Sequence, residues 1–180
     1  AAGVHGLADA RRLLGQGLDL VPDDATLVRF DLLMARESLL DRIGDRAAQH
    51  EDLAALDALE PFVAGVDPVR RVRLLLTHCR WAFHHTEYTA QQAAAIRAID
   101  IARESGLDDL EAEGRLWLGK GLTWAGQHHA AREALESALA VARERGLRRV
   151  MTESLRYLAI VASNISEFAR AKELLAEAIA

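Results

Sequence analysis

The sequence predicts an all-α fold in which antiparallel helix pairs stack into an α-α superhelix, that is, an α-solenoid. Strong helix formers dominate it, with only 3 prolines and 5% aromatic residues. Apolar residues recur at spacings of three and four, which gives each helix one buried stripe. The chain also repeats itself every forty residues: Ala98, Ala138 and Ala178 coincide, as do Gly106 and Gly146. Helix pairs at a fixed period are typical of solenoids, in which each pair buries its face against the next.

Turn residues divide the chain into about nine predicted helices. Glycine ends a helix and aspartate or serine caps the next one, as in Gly44-Asp45 and Gly106-Leu107-Asp108-Asp109. Since every loop between the predicted helices is short, neighbouring helices must run antiparallel. The predicted helices are 7–20, 24–43, 46–63, 68–85, 88–105, 108–125, 128–145, 148–164 and 167–180.

We interpret residues 1–180 as one solenoid domain. The first predicted helix has no partner before it, and an apolar stripe continues to the last residue, whereas a solenoid standing alone ends in polar capping helices. We therefore expect the chain to be a fragment of a longer protein. Its predicted parts are a half repeat at 1–23, a degenerate repeat at 24–66, and repeats at 67–106, 107–146 and 147–180.

Composition excludes several classes of protein. A net charge of −5 gives no basic surface for nucleic acid. No apolar run approaches the ~18–20 residues that a membrane span needs. The one cysteine, Cys79, cannot form an internal disulfide, which suits a reducing compartment. We expect a cytoplasmic protein that binds neither nucleic acid nor membrane through this segment.

Residues that could carry chemistry are few. The chain has no phosphate loop, nucleophile elbow, Gly-rich dinucleotide turn or HExxH motif. His84-His85 and His128-His129 are adjacent pairs, and neighbours on a helix point ~100° apart, so solvated histidines explain them better than a metal site. Cys79 fits a buried small residue better than a reactive thiol. We therefore predict a non-catalytic protein without metal or cofactor.

The pattern inside the repeat resembles a known family. Small residues are needed where two helix backbones cross closely, and an aromatic at the turn wedges the pair apart. The spacing Leu118-Gly119-x2-Leu122-x3-Gly126-Gln127-His128-x2-Ala131-x6-Ala138-Leu139 resembles the tetratricopeptide repeat. The preceding repeat departs from this pattern, with His78, Cys79 and Gln91 at the leucine, glycine and first alanine positions. In the degenerate repeat, the second helix is interpreted as shifted by a residue or two.

A finer resemblance concerns the repeat length and two segments. Forty-residue repeats with helix ends such as Val141-Ala142-Arg143-Glu144, together with Ala35-Arg36-Glu37-x3-Leu40-Asp41-Arg42-x-Gly44-Asp45-Arg46, look like the MalT-like repeats of bacterial signalling ATPases. In that family the repeats lie between an NTPase module and an effector such as a LuxR-type DNA-binding domain or a nucleotide cyclase. The resemblance implies a sensing or protein-interaction region of a bacterial transcription or signal-transduction regulator.

Tetratricopeptide repeats usually bind ligands on the concave face that the first helices of the pairs form. Arg80, Lys120 and Arg156 would give this face a cationic strip, while Phe83 and Trp124 would give it flat apolar contacts. This mixture suits an acidic or C-terminal peptide of a protein partner. The residues that the resemblance places in this candidate site are Arg73, Arg80, Phe83, His84, Lys120, Trp124, Arg156 and Asn164.

Three other interpretations stay open from the sequence. Phe83, Leu116, Trp124 and Ile160 could serve only to pack the inner wall. The groove could hold a small effector instead of a peptide. Alternatively, the terminal helices could stack on a second copy, because residues 174–179 keep an apolar stripe.

Overall fold

The structure, a computed structural model, describes residues 2–179. Within this range the regular secondary structure is entirely helical, which confirms the predicted all-α fold class of repeated helices. Ala1 and Ala180, which belong to the first and last predicted repeats, lie outside the described residues. The nine helices of the described range are α1 Ala2–Leu20, α2 Thr26–Ile43, α3 Arg46–Val63, α4 Pro68–His84, α5 Tyr88–Glu104, α6 Asp108–Trp124, α7 His128–Arg145, α8 Arg148–Asn164 and α9 Phe168–Ile179.

The predicted helix bounds agree with the observed ones to within two residues for α2–α9. The first helix differs, because α1 begins at Ala2 rather than at residue 7. Glycine lowers helix propensity by about 1 kcal/mol, but it does not end a helix by itself. The helix therefore continues through Gly3 and Gly6.

Most helices end in a residue of left-handed conformation. Its backbone N–H donates back into the helix, as from Gly106 N to Arg103 O at 3.2 Å. The next N–H donates to the carbonyl one residue earlier, as from Leu107 N to Ala102 O at 2.8 Å. This conformation suits glycine, but non-glycine residues adopt it at two of the turns. The positions are Gly44, Thr86, Gly106, Gly126, Gly146 and Ser166.

Side-chain capping is rarer than predicted. Asp45 caps α3, since its carboxylate accepts a hydrogen bond from Ala48 N at 3.2 Å. At α6, however, the N-cap is Leu107, which makes no side-chain cap bond. Asp108 and Asp109 lie one and two positions after the cap and occupy the first turn instead, where their charges suit the positive end of the helix.

The chain divides into two compact units, Ala1–Asp67 and Pro68–Ala180. In the first unit α2 packs between α1 and α3. Phe30, Leu40 and Leu56 are buried there, but so are the polar residues Glu37 and Gln49.

The second unit contains three helix pairs in two layers. The first helices of the pairs, α4, α6 and α8, contact one another in order along the chain. Each second helix, α5, α7 or α9, packs against the first helix before it, and α5 and α7 also pack against the one after. We call the solvent side of the α4, α6 and α8 layer the A-helix face.

The repeat register is strict within the second unit. Its helices begin at 68, 88, 108, 128, 148 and 168, so that 20 residues separate each start from the next. The same spacing separates Thr26 from Arg46 in the first unit. Relative to the forty-residue period, however, both helices of the degenerate repeat begin two residues early, because 42 residues separate Arg46 from Tyr88 and Thr26 from Pro68. The second helix is therefore shifted as predicted, but the first helix shifts with it. That repeat matches poorly because of its residue types, since Gln49 stands where later repeats have Ala131 and Ala171.

Among the described residues, no helix combines the length and the apolar character that crossing a membrane requires.

Candidate functional site

The predicted site residues lie on α4, α6 and α8, but their exposure differs. Arg73, His84, Arg156 and Asn164 are exposed, Arg80 and Phe83 are half-buried, and Trp124 is 53% exposed. Lys120 is buried, with 8% of its surface exposed. The expectation that Lys120 lies outside the core is therefore wrong.

Three aromatic rings surround the Lys120 ammonium. Its Nζ lies 3.9 Å from the ring centroid of Trp117 and 5.0 Å from those of Phe83 and Tyr157. An ammonium over the face of an aromatic ring is attracted by the ring quadrupole, and more strongly when it is desolvated. The rings come from α4, α6 and α8, so this one lysine contacts all three helices of the layer.

An acidic side chain completes the surroundings of Lys120. Nζ donates to Glu153 Oε2 at 3.4 Å, and Arg156 Nη2 donates to the same oxygen at 2.8 Å. Burial lowers the pKa of Lys120, and the nearby Glu153 only partly offsets this effect. Burial alone would raise the pKa of Glu153, but the hydrogen bond from Arg156 and the charge of Lys120 outweigh it and lower that pKa.

The arrangement continues to the protein surface. The Arg156 guanidinium lies over the ring of Tyr157, 4.7 Å from its centroid. Burial raises the pKa of Tyr157, and the neighbouring Trp124 side chain offsets part of this effect. A connected set of contacts therefore links buried Lys120 to exposed Trp124 through residues of α8.

The structure brings together only some of the predicted residues. Phe83, Lys120, Trp124 and Arg156 belong to this connected set, which we call the Lys120 cluster together with Trp117, Glu153 and Tyr157. Arg73, Arg80, His84 and Asn164 lie outside these seven residues, although the His84 ring contacts the edge of the cluster at Phe83, with 6.1 Å between the ring centroids.

Sequence reasoning missed the aromatic residues Trp117 and Tyr157. A signal for them exists, because they are forty residues apart and therefore occupy the same position in successive repeats. Trp117 also lies three residues before Lys120, on the same side of α6, where a helical pair can interact.

The remaining chemistry-bearing residues are accounted for by packing or by local contacts. Cys79 is buried, as expected, and burial raises its pKa to about 12. His85 Nδ1 lies 2.8 Å from Trp81 O, and His129 lies 3.6 Å from Glu133. Within the described residues, no group of three or more His, Cys, Asp and Glu side chains could hold a metal ion.

The described residues form a groove in each unit. One, of about 430 Å³, runs between α7 and α9 over Leu158 of α8, and Arg132–Glu167 pairs across it at 2.7 Å. The other, of about 370 Å³, lies among α1, α2 and α3, where Arg36 Nε donates to buried Asp52 Oδ2 at 2.9 Å. Both grooves are rimmed by arginines that already pair with acidic residues.

Comparison with known proteins gives no further guide to this site. No protein-family model matches the chain, and no curated protein is significantly similar to it in sequence.

Proposed function

We propose that this chain is a non-catalytic interaction module that binds an acidic segment of a protein partner on its A-helix face. The observation that carries the proposal is the exposure of Trp124, 53% of which is open to solvent on that face. Tryptophan is enriched among the residues that dominate binding energy at interfaces. Polar groups of Tyr157 and Arg156 lie near the Trp124 indole.

Charge supports an acidic partner over a basic one. The residues predicted for the candidate site on this face include four basic ones, Arg73, Arg80, Lys120 and Arg156, and no acidic one, while the structure adds Glu153 beside Lys120 and Arg156. The whole chain, in contrast, has a net charge of −5. Complementary charge favours association with an acidic segment and disfavours basic competitors.

The wider setting in this proposal is a tetratricopeptide-like region of a larger bacterial regulator, in which the repeats sense or recruit a partner. The forty-residue repeat and the strict helix register support the repeat assignment. The resemblance to MalT-like repeats supports the regulator assignment, through segments such as Arg36-Glu37 and Gly44-Asp45-Arg46.

The test is binding to an array of 12-residue peptides that are acidic, neutral or basic, each with and without a central apolar residue. We expect the acidic peptides with an apolar residue to bind best. Trp124→Ala should weaken their binding about 10- to 30-fold, the loss expected for an interface residue worth ~1.4–2 kcal/mol. Arg156→Glu should weaken it as well. No preference among the peptides, or equal binding by these variants, would refute the proposal.

Matched controls exist on α9. Phe168 is an exposed aromatic residue, at 61%, and Arg170 pairs with Glu173 at 3.0 Å much as Arg156 pairs with Glu153. Phe168→Ala and Arg170→Glu should therefore leave peptide binding unchanged. Lys120→Glu is unsuitable as a binding variant, since a carboxylate would be buried among three aromatic rings.

Self-association through a terminal helix is the second candidate function. Helix α9 exposes 61% of Phe168, 43% of Leu175 and 86% of Ile179. Apolar residues exposed together on one helix favour contact with another protein surface. Sedimentation equilibrium would test this: mass that rises with concentration, and that Leu175→Glu abolishes, would support self-association, whereas a constant monomer mass would refute it.

A further inference from the structure

Lys120 is a charged residue at a position that is buried in its own repeat. The corresponding positions in the neighbouring repeats carry Arg80 and the half-buried Ile160. An apolar side chain therefore packs adequately at this position. Removing an ammonium from water costs free energy that an isoleucine or methionine would not incur, so packing alone does not explain the charge.

The charge of Lys120 acts on Glu153. Glu153 accepts from Lys120 on one side and from exposed Arg156 on the other, through the same carboxylate oxygen. With Glu153 and Arg156 alone, the acidic and basic charges would cancel at the surface. Lys120 adds a second positive charge from the protein interior, so the three groups together carry one net positive charge.

That net charge faces the solvent beside Trp124. Lys120 and Trp124 are four residues apart on α6, and Glu153, Arg156 and Tyr157 share one side of α8. Arg156 is the exposed member of the three charged groups, whereas Lys120 is buried and Glu153 is half-buried. The positive potential is therefore presented where a ligand carboxylate would meet both the Arg156 guanidinium and the indole.

We propose that Lys120 is a positioning residue that acts through Glu153 to keep the surface around Arg156 and Trp124 positive, and that it thereby gives the A-helix face its preference for acidic ligands. The preference itself rests on the proposed function. The electrostatic effect does not, and it can be measured without any partner.

The experiment measures quenching of Trp124 fluorescence by iodide, caesium and neutral acrylamide. The Trp124 signal is the difference between each variant and the same variant carrying Trp124→Phe. Removing one elementary charge about 10 Å away in water changes the local energy of an ion by ~0.4 kcal/mol. Lys120→Met should therefore lower the iodide quenching constant about 1.5- to 2-fold, raise that of caesium and leave that of acrylamide unchanged.

Two further variants separate this effect from a structural one. Glu153→Gln should raise iodide quenching, and Lys120→Met with Glu153→Gln should return it to near the wild-type value, because Arg156 is then positive without compensation. Damage to packing would not be repaired by Glu153→Gln. Lys172→Met, at an exposed position of α9, is the control for net charge and should change nothing.

The outcomes are distinct. Unchanged iodide quenching in Lys120→Met, or a double variant that stays low, would overturn the role of Lys120 even if acidic peptides bind. Quenching that follows the expected pattern supports it. If acidic peptides nevertheless show no preference for the protein, the proposed function fails and the ligand preference assigned to Lys120 fails with it, while the electrostatic effect stands.

Discussion

The same helix crossing is built from different residues in the two units. In Ala1–Asp67 the crossing of α2 and α3 holds Glu37 and Gln49, both fully buried, and Gln49 Nε2 donates to Glu37 Oε1 at 2.6 Å. In Pro68–Ala180 the crossing of α6 and α7 holds Gly119 and Ala131, where a Cβ on Gly119 would lie 3.4 Å from Ala131 O. Twelve residues separate the partners in both pairs.

The crossing of α4 and α5 is intermediate between these two. Cys79 Sγ lies 3.6 Å from Gln91 O, again twelve residues apart. The Gln91 side chain extends to the next helix, where Nε2 donates to Trp117 O, and it occupies the space that a Cβ on Gly121 would need. A helix crossing therefore accommodates a large polar residue under either of two conditions. A residue packed against it is small, as Gly121 is beside Gln91, or that residue forms a hydrogen bond with it, as Glu37 does with Gln49.

The largest effect should follow from moving a residue of one crossing into another. Ala131→Gln places glutamine in the second unit at the position of Gln49, but Val161 stands where Gly121 makes room for Gln91. Overpacking and burial of an amide should lower the free energy of unfolding by ~2–4 kcal/mol. Urea unfolding followed by circular dichroism measures this change.

The control for that substitution is Ala140→Gln on the same helix. Ala140 is exposed, so its replacement should change stability by no more than ~0.5 kcal/mol. Equal stabilities of the two variants would mean that the crossing does not constrain residue 131.

A smaller loss is expected when the polar pair of the first unit is broken. Gln49→Ala removes the hydrogen bond to the buried Glu37 carboxyl group and should cost ~1–3 kcal/mol. The double substitution Glu37→Ala with Gln49→Ala should cost less than the sum of the single ones. Each single substitution leaves one buried polar side chain without this hydrogen bond, whereas the double substitution removes both side chains. Strict additivity in urea unfolding would show that the two residues do not interact.

A loss of about 1 kcal/mol should follow from enlarging the glycine crossing. A Cβ on Gly119 would lie 2.5 Å from Leu135 Cγ, a contact that fully buried Leu135 cannot easily avoid. The gain in helix propensity from Gly119→Ala offsets part of this cost. In a Leu135→Ala background the steric cost should vanish, and Gly119→Ala should stabilise. A cycle of the four proteins in urea tests this reversal of sign.

The intermediate crossing also shields the Cys79 thiol from reagents. Burial raises the pKa of Cys79 to about 12, so only ~10⁻⁴ of the thiol is ionised at pH 8. A disulfide reagent should therefore label the native protein slowly at pH 8 and the urea-unfolded protein within the mixing time. Equally fast labelling of both states would contradict the burial of Cys79.

The helices were predictable from the sequence because their signals are local. The left-handed positions Gly44, Gly106, Gly126 and Gly146 carry glycine, so the helix ends could be located from residue type. Thr86 and Ser166 adopt the same conformation although they are not glycines. Their turns can be located from the repeat, because they lie 20 residues from the turns at Gly106 and Gly146. The apolar periodicity then supplied the helices between these turns.

The candidate site was predictable only in part. The repeat pattern placed Arg156 and Trp124 on the exposed side of the first helices, but the same pattern placed Lys120 there too. A lysine is ordinarily a surface residue, so its residue type gives no sign of burial. The buried Glu37–Gln49 pair was not predicted for a related reason. Helix crossings were located from small residues, and this crossing contains two large polar ones.

The sequence by itself determined the helices, the bounds of α2–α9 to within two residues and the repeat, because hydrogen bonds within a helix and the turn conformations depend on residues a few positions apart. Only the tertiary structure decided which side chains meet. Phe83, Lys120 and Glu153 are more than thirty residues apart in the chain, and they come together because α4, α6 and α8 pack side by side. Burial and charge pairing at the candidate site depend on that packing, and residue type alone does not specify it.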